Sequence, residues 1–149
     1  MKITEWKKDG YLLSTDRAKI GVAAVHQFLS HSYWAEGIPL ELVKRSIDNS
    51  LSFGMYNQQK LIGFARVITD FTTFAYLADV FIIPDERGKE LSKWLMQVIV
   101  DHPCLQGLRR FTLSTRDAHG LYAQFGFFPF DKPERWMQKY DPDVYKSKT

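Results

Sequence analysis

The sequence predicts an α+β domain built on one mixed sheet, and three observations carry that prediction. Short apolar or alternating runs fill residues 11–14, 53–56, 61–68 and 74–83; the period then becomes helical at Leu91, Trp94, Leu95, Val98 and Ile99; strand character returns at 109–115. A helix that connects two strands of one sheet makes them parallel, whereas strands joined by tight turns are antiparallel, so both kinds of pairing are expected.

The elements follow in order. Residues 11–14 form a short strand, and Asp16 then caps a helix expected over 17–30, with Val22, Val25, Phe28 and Leu29 on its apolar face. Pro39 suits the first turn of a second helix that carries Leu40, Val43 and Ile47 on one side and ends near Asn49. The stretch between them, 30–37, is an aromatic loop. Residues 53–56 and 61–68 make an antiparallel hairpin across a four-residue turn at 57–60, and 74–83 extends the meander. His102-Pro103 ends the long helix that starts near 91. Asp117 is expected to cap a short helix bearing Ala118, Leu121, Tyr122 and Phe125, stopped by Gly126, with 127–129 and 135–137 as closing strands. The tail from about 142 is expected to fray.

Composition bounds the class. With 149 residues, 45% hydrophobic and 25% charged, the chain reads as one domain, 1–149, of ordinary size. Such a chain buries ~68–70% of its unfolded surface, enough to dispense with disulfides or a structural metal. Its single cysteine, Cys104, has no internal partner, and no secretory leader opens the sequence, so a cytoplasmic protein is expected. No apolar run reaches the ~18 residues of a membrane span. The balance of 20 Lys+Arg against 17 Asp+Glu, a net +3 spread along the chain, argues against nucleic acid as the partner.

Chemistry concentrates at 79–92, where a buried strand passes over Gly88 into a helix. Free amides of the first helical turn, with the positive end of the macrodipole, favour a phosphate there, and Arg87, Lys89 and Lys93 add charge. The bland alternative is a strand-to-helix turn with solvated basic residues.

Pro84 followed by Arg87-Gly88-Lys89, then a helix, a strand, and Ala118 followed by Leu121-Tyr122-Ala123-Gln124-Phe125-Gly126-Phe127, resembles the Gcn5-related N-acetyltransferases. The resemblance implies a mixed six- to seven-stranded sheet flanked by about four helices, with acetyl-CoA held between two parallel strands. By this resemblance Phe81, Ile82, Ile83, Arg87, Gly88, Lys89, Glu90, Leu91 and Ser92 bind the coenzyme, joined by Thr115 and Ala118. The chain departs from the family pattern in carrying Glu90 and Ser92 at positions usually glycine or alanine, and Thr115 where asparagine is common. Backbone donors survive those replacements, since any residue but proline keeps its N–H. Glu90 would repel a diphosphate if it turned inward, and Lys89 and Lys93 offset it.

The resemblance also implies roles. Acetyl transfer needs a neutral amine, support for a developing oxyanion and a proton for the departing thiolate. Tyr122 occupies the position of the family's general acid, with a core tyrosine as the alternative. Asp79, the only carboxylate within 76–83, is either a base, which burial makes readier to accept a proton, or a structural acid; an ordered water is the other candidate base. The oxyanion falls to a strand N–H around Phe81. Tyr33, Trp34, Glu36, Phe71 and Thr72 are the acceptor-side candidates, and aromatics with one acid fit a cationic amine.

Other chemistries lack their signatures. His26, His31, His102 and His119 form no HExxH, and neither GxSxG nor GxxxxGK[ST] occurs, so no metal site, serine elbow or nucleotide loop is expected. The reading is therefore an N-acetyltransferase using acetyl-CoA as co-substrate. It acts by direct attack in a ternary complex on a primary amine of a small molecule, or of a peptide, and a homodimer is expected. Rival readings are a non-catalytic acyl-CoA-binding or protein-interaction module on the same fold and, more remotely, a nucleic-acid-binding domain using Arg109, Arg110 and Arg116.

Overall fold

The computed structural model describes residues 2–146. Six strands form one sheet in sequence order: β1 (Glu5–Lys8), β2 (Tyr11–Ser14), β3 (Leu51–Asn57), β4 (Lys60–Thr69), β5 (Phe74–Ile82) and β6 (Arg110–Leu113). The first five are antiparallel neighbours, and β6 lies parallel to β5. Four α-helices accompany them: α1 (Val22–Leu29), α2 (Leu40–Asp48), α3 (Leu91–Asp101) and α4 (His119–Ala123). No helix among the described residues is long and apolar enough to cross a membrane.

Two apolar clusters hold the helices to the sheet. Val25 and Leu29 of α1 and Val43 and Ile47 of α2 bury themselves with Phe64 and Phe81. The second cluster gathers Leu91, Leu95, Met96 and Ile99 of α3 with Leu13, Phe53, Val67 and Leu77 from the strands. Full burial of one such side chain is worth roughly 1.5–3 kcal/mol, so α3 is fixed by its apolar stripe, the one its i, i+3, i+4 spacing predicts.

Several boundaries differ from expectation. Asp16 does cap, accepting from the Ala18 N–H at 3.0 Å, but the capped element is a single 3-10 turn, Arg17–Lys19. Extended backbone at Ile20 and Gly21 then interrupts the chain before α1 begins at Val22. The β3–β4 turn is Gln58-Gln59 rather than four residues, because Asn57 pairs with Lys60 and Gln58 takes a positive φ of 57°. Strand β1 was not expected, since its charged side chains hide the alternation. Its signal is the Asp9-Gly10 turn, both residues with positive φ, 53° and 85°. Asp117 does not cap α4: the N-cap is Ala118, with no side-chain cap, and Thr115 Oγ1 accepts from the Ala118 N–H at 3.0 Å just ahead of the helix. Gly126 has the expected left-handed φ, 90°.

The closing strands expected at 127–129 and 135–137 do not form. Pro129 and Pro133 lack N–H donors, and Pro133–Arg135 makes a 3-10 turn instead. Of the tail expected to fray, 147–149 lie outside the described residues, and 141–146 form turns closed by Val144 N–H to Asp141 O and Lys146 N–H to Asp143 O.

Candidate active site

The sheet opens where β5 outruns its parallel neighbour. The two strands pair only from Phe74 opposite Arg110 to Leu77 opposite Leu113, after which β6 turns away toward α4 while β5 continues along β4. From Ala78 onward the β6-facing side of β5 has no strand partner among the described residues. A bulge lies at the start of this gap: Phe64 faces Phe81 and Arg66 faces Ala78, so Asp79 and Val80 together oppose Ala65.

Asp79 has a φ of 56°, a left-handed conformation that costs a non-glycine residue on the order of 1–3 kcal/mol and that its surroundings must enforce. Its Oδ1 accepts from Trp34 Nε1 at 2.8 Å, and its Oδ2 accepts from Arg66 Nε. Arg66 Nη1 donates to Ser50 Oγ at 3.1 Å, and that hydroxyl donates to the Ser46 carbonyl at 2.6 Å. The pair is largely buried, with side-chain exposures of 17% for Arg66 and 9% for Asp79. The candidate base is thus a carboxylate with both oxygens engaged, tying the inter-helix loop to the bulge. Arg66 went unremarked in the sequence, although it is the only charged residue within 61–68.

On the other wall, β5 passes through the 3-10 turn Pro84–Glu86 into α3. Four amides around this turn bond to backbone carbonyls: Ile83 to Ile62, Glu86 to Ile83, Arg87 to Pro84, and Trp94 to Glu90. The N–H groups of Gly88, Lys89, Glu90, Leu91, Ser92 and Lys93 have no such partner among the described residues. Ile83 therefore offers no free donor, whereas the residues after it do. Gly88 has φ 81° with open space where a Cβ would project, and Glu90 is also left-handed at φ 60°. Successive amides in such conformations form an anion-binding concavity. A hollow of about 700 Å3 lies before them, lined by Lys89, Glu90, Leu91, Lys93 and Trp94 among others.

The charges of this wall are already paired. Lys89 Nζ lies 3.0 Å from Glu86 Oε2, and Lys93 Nζ lies 3.2 Å from Glu90 Oε1. The Glu90 carboxylate is three-quarters exposed and engaged outward on its own helix. Arg87 Nε donates to the Ile82 carbonyl at 3.1 Å. Glu86 is the anchor that sequence reading missed: its side chain is nearly buried and accepts from Tyr11 Oη at 2.7 Å, from Lys89, and from Asn57 Nδ2 at 3.1 Å. Those bonds, Tyr11's first, hold its carboxyl down to about 2. Nothing in a run of Pro-Asp-Glu-Arg distinguishes it from a solvated turn.

Tyr122 is buried on α4, edge-on to Phe127, and its hydroxyl has no hydrogen-bond partner among the described residues. Burial pushes its phenol above the ordinary value of 10, with Tyr33 and Asp117 adding to the rise, so the proton stays on near neutrality. Thr115 and Ala118, bonded to each other, lead into the same helix. The side chain of Phe81 is stacked on Phe28 at 4.0 Å, and its backbone is paired with Phe64 of β4.

Of the acceptor-side candidates, Tyr33 and Trp34 come together, edge to face at 5.1 Å, and Trp34 reaches the bulge through Asp79. Arg116, from the loop after β6, lies 3.8 Å over the Tyr33 ring and closes the circuit. Glu36 is exposed and acts on the Lys146 ammonium. Phe71 and Thr72 stand apart: they belong to the β4–β5 turn, whose carboxylate Asp70 accepts from the amides of Thr72, Thr73 and Phe74. At ~3.3 Å per residue this turn is over ~15 Å along β5 from Asp79. No cluster of three or more His, Cys, Asp or Glu placed to hold a metal occurs among the described residues.

Known proteins share both sequence and architecture with this chain. Residues 18–127 match the family model described as the Acetyltransferase (GNAT) family. A crystal structure from Xanthomonas campestris pv. campestris, of a protein assigned to the GNAT acetyltransferases, superposes with a TM-score of 0.90 at 48% identity, covering 92% of this chain and 97% of that one. A Gibberella zeae protein with an acetyltransferase name is 31% identical over 146 residues, covering 83% of this chain and 81% of its own length. A Clostridium acetobutylicum structure, described as an acetyltransferase with acetyl-CoA, shares the fold with a TM-score of 0.64 at 14% identity, covering 93% of this chain and 96% of that one.

Proposed function

Because this chain belongs to the GNAT acetyltransferase family, we propose that it moves the acetyl group of acetyl-CoA to a primary amine of a small molecule by direct attack in a ternary complex. The observation that carries the reading is the parting of β5 from β6 after Leu77, with unpaired amides at its end and Tyr122 on α4, the helix that follows β6. A cytoplasmic location fits the single free cysteine.

The residues present fit the coenzyme. Amides of 88–92 and the start of α3 suit a diphosphate, and the unpartnered side of β5 suits an extended amide-bearing arm. When bound, acetyl-CoA supplies an acyl group on a thiol leaving group. The chain does the rest. A bulge amide near Phe81 donates to the acyl oxygen as charge develops there. Tyr33 and Trp34 receive the amine through their ring faces. Asp79 holds Trp34 and the bulge in register, and water takes the amine proton, since both Asp79 oxygens are engaged. Tyr122 keeps its proton until the thiolate leaves and then donates it.

Calorimetric titration with acetyl-CoA, followed by a free-thiol assay over a panel of primary amines, tests this. Saturable binding with amine-dependent thiol release is the expected result. Absence of binding at millimolar acetyl-CoA would refute the coenzyme site, and binding without turnover on any amine would favour a non-catalytic acyl-CoA module.

A further inference from the structure

A cation stands on the acceptor side with no hydrogen-bonded partner. The Arg116 guanidinium lies 3.8 Å over the Tyr33 ring, Tyr33 meets Trp34 edge to face at 5.1 Å, and Trp34 Nε1 donates to Asp79 at 2.8 Å. This chain of contacts spans the gap from the end of β6 to the bulge in β5. Tyr33 also helps raise the Tyr122 phenol, so its ring stands on the reacting side.

The acids of this side are spent or out of hydrogen-bond reach. Both Asp79 oxygens are engaged, one by Trp34 and the other by Arg66. Glu36 is exposed and acts on Lys146. Asp117 Oδ2 lies 3.9 Å from Arg116 Nη2, with side chains 72% and 65% exposed, and this is the polar contact Arg116 makes among the described residues. An exposed ion pair at that separation contributes little. Aromatics with one acid suggest a cationic amine when read along the chain; folding cancels the acid and leaves a guanidinium. Stacking holds that guanidinium in place before any ligand arrives and keeps the N–H donors around its rim available.

We infer that the amine acetylated by this protein carries a carboxylate, which the Arg116 guanidinium receives while the amine lies against Trp34 toward the bulge. A carboxylate accepts two parallel N–H bonds from one guanidinium, and a single monovalent cation matches its charge. A phosphate would leave a second negative charge facing Asp117. The substrate class is therefore an amino acid, α or ω, and the product its N-acetyl derivative. The carboxylate is a handle only: the amine nitrogen bonds the acetyl carbon as the carbon–sulfur bond breaks, its proton going to water and that of Tyr122 to the thiolate. This narrows the acceptor of the proposed acetyl transfer and rests on it.

Initial rates over α-amino acids and unbranched ω-amino acids, each paired with its own carboxamide, test this, together with calorimetric titration of the same pairs into protein saturated with CoA. The carboxamide keeps the size and the amine and removes the charge. For the best acceptor the acid should exceed its carboxamide about 30-fold in kcat/KM and in affinity, equivalent to ~2 kcal/mol, as for a hydrogen bond to a charged group. Arg116→Ala should bring that ratio near unity with cooperative unfolding retained, and Arg116→Lys, which keeps the charge but not the planar fork, should fall between. Arg109→Ala removes the same charge at the opposite end of β6 and should leave the ratio as in the wild type. Carboxamides accepted as well as their acids, or a preference that Arg116→Ala leaves intact or Arg109→Ala lowers equally, would overturn the inference while acetyl transfer stands. Absent turnover on every amine would instead remove the reaction, and the titrations then decide: acids bound over carboxamides only while Arg116 is present support the carboxylate site, and no binding or no preference overturns it.

Discussion

The two walls of the opening are made of different material. Beside α3 the chain presents backbone amides, held by a nearly buried Glu86 that receives bonds from β2, β3 and Lys89. Opposite, the inter-helix loop and the loop after β6 present side chains, with Tyr33 53% exposed and the Arg116 side chain 65% exposed. Backbone donors at a helix start are set by geometry and survive side-chain replacement, which suits a ligand common to a family. Exposed side chains on loops change the surface with every substitution. On the proposed reading, the first wall serves the shared coenzyme and the second selects the acceptor.

The largest effect is expected where the walls meet. Asp79→Asn keeps a residue tolerant of the left-handed backbone but leaves the Arg66 guanidinium buried without its counter-charge, which should cost ~3 kcal/mol in urea unfolding. It should also raise KM for the amine more than KM for acetyl-CoA. Unchanged stability would show that the ion pair does not hold the bulge. Next comes Tyr122→Phe, expected to lower kcat about 100-fold while KM for acetyl-CoA stays put, since the ring keeps its packing on Phe127. The pH profile sharpens this: with the phenol raised, kcat in the wild type should hold up to pH 10 and decline above it, and that decline should vanish in the variant.

Glu86→Gln tests the coenzyme wall alone. Glu86 has a folded value of about 2 against 4.5 for a free carboxyl, so its stabilising contribution is present above pH 4.5 and is lost as pH falls toward 2. The variant should flatten that part of an acid-unfolding curve and raise KM for acetyl-CoA a few-fold with kcat retained. An unchanged KM would mean that the amides need no anchor. Glu90→Gly should give the smallest change: relief of the left-handed backbone, net of the entropy glycine adds to the unfolded chain, is worth no more than ~1 kcal/mol in thermal unfolding. Acetyl-CoA should bind more tightly once that negative charge is gone, and weaker binding would show that the Glu90–Lys93 pair helps form the site.

Much of this was legible along the chain. The apolar stripe of α3 states its own burial, and the strand that turns over Gly88 into that stripe states where an anion would go. The bonds that fix Asp79 were not legible, because Trp34 and Arg66 lie 45 and 13 positions from it, Ser50 lies 16 from Arg66, and they meet only when α1, α2 and the sheet pack. Glu86 was hidden for the same reason. The closing strands failed differently: Phe127, Phe128 and Trp136 have strand character, but Pro129 and Pro133 break the run.

Residue order by itself determined the periodic elements and the amide-rich start of α3, because each depends on neighbours within a turn or two of chain, and it determined the parallel crossover from β5 to β6, because a helix lies between them in sequence. Only the tertiary structure decided that Asp79 would be a bound counter-ion, that Lys89 and Lys93 would be paired with carboxylates, and that β5 and β6 would part after four residue pairs. Charges distant in sequence acquire their roles from whichever opposite charge the fold brings near, and no local pattern records that meeting.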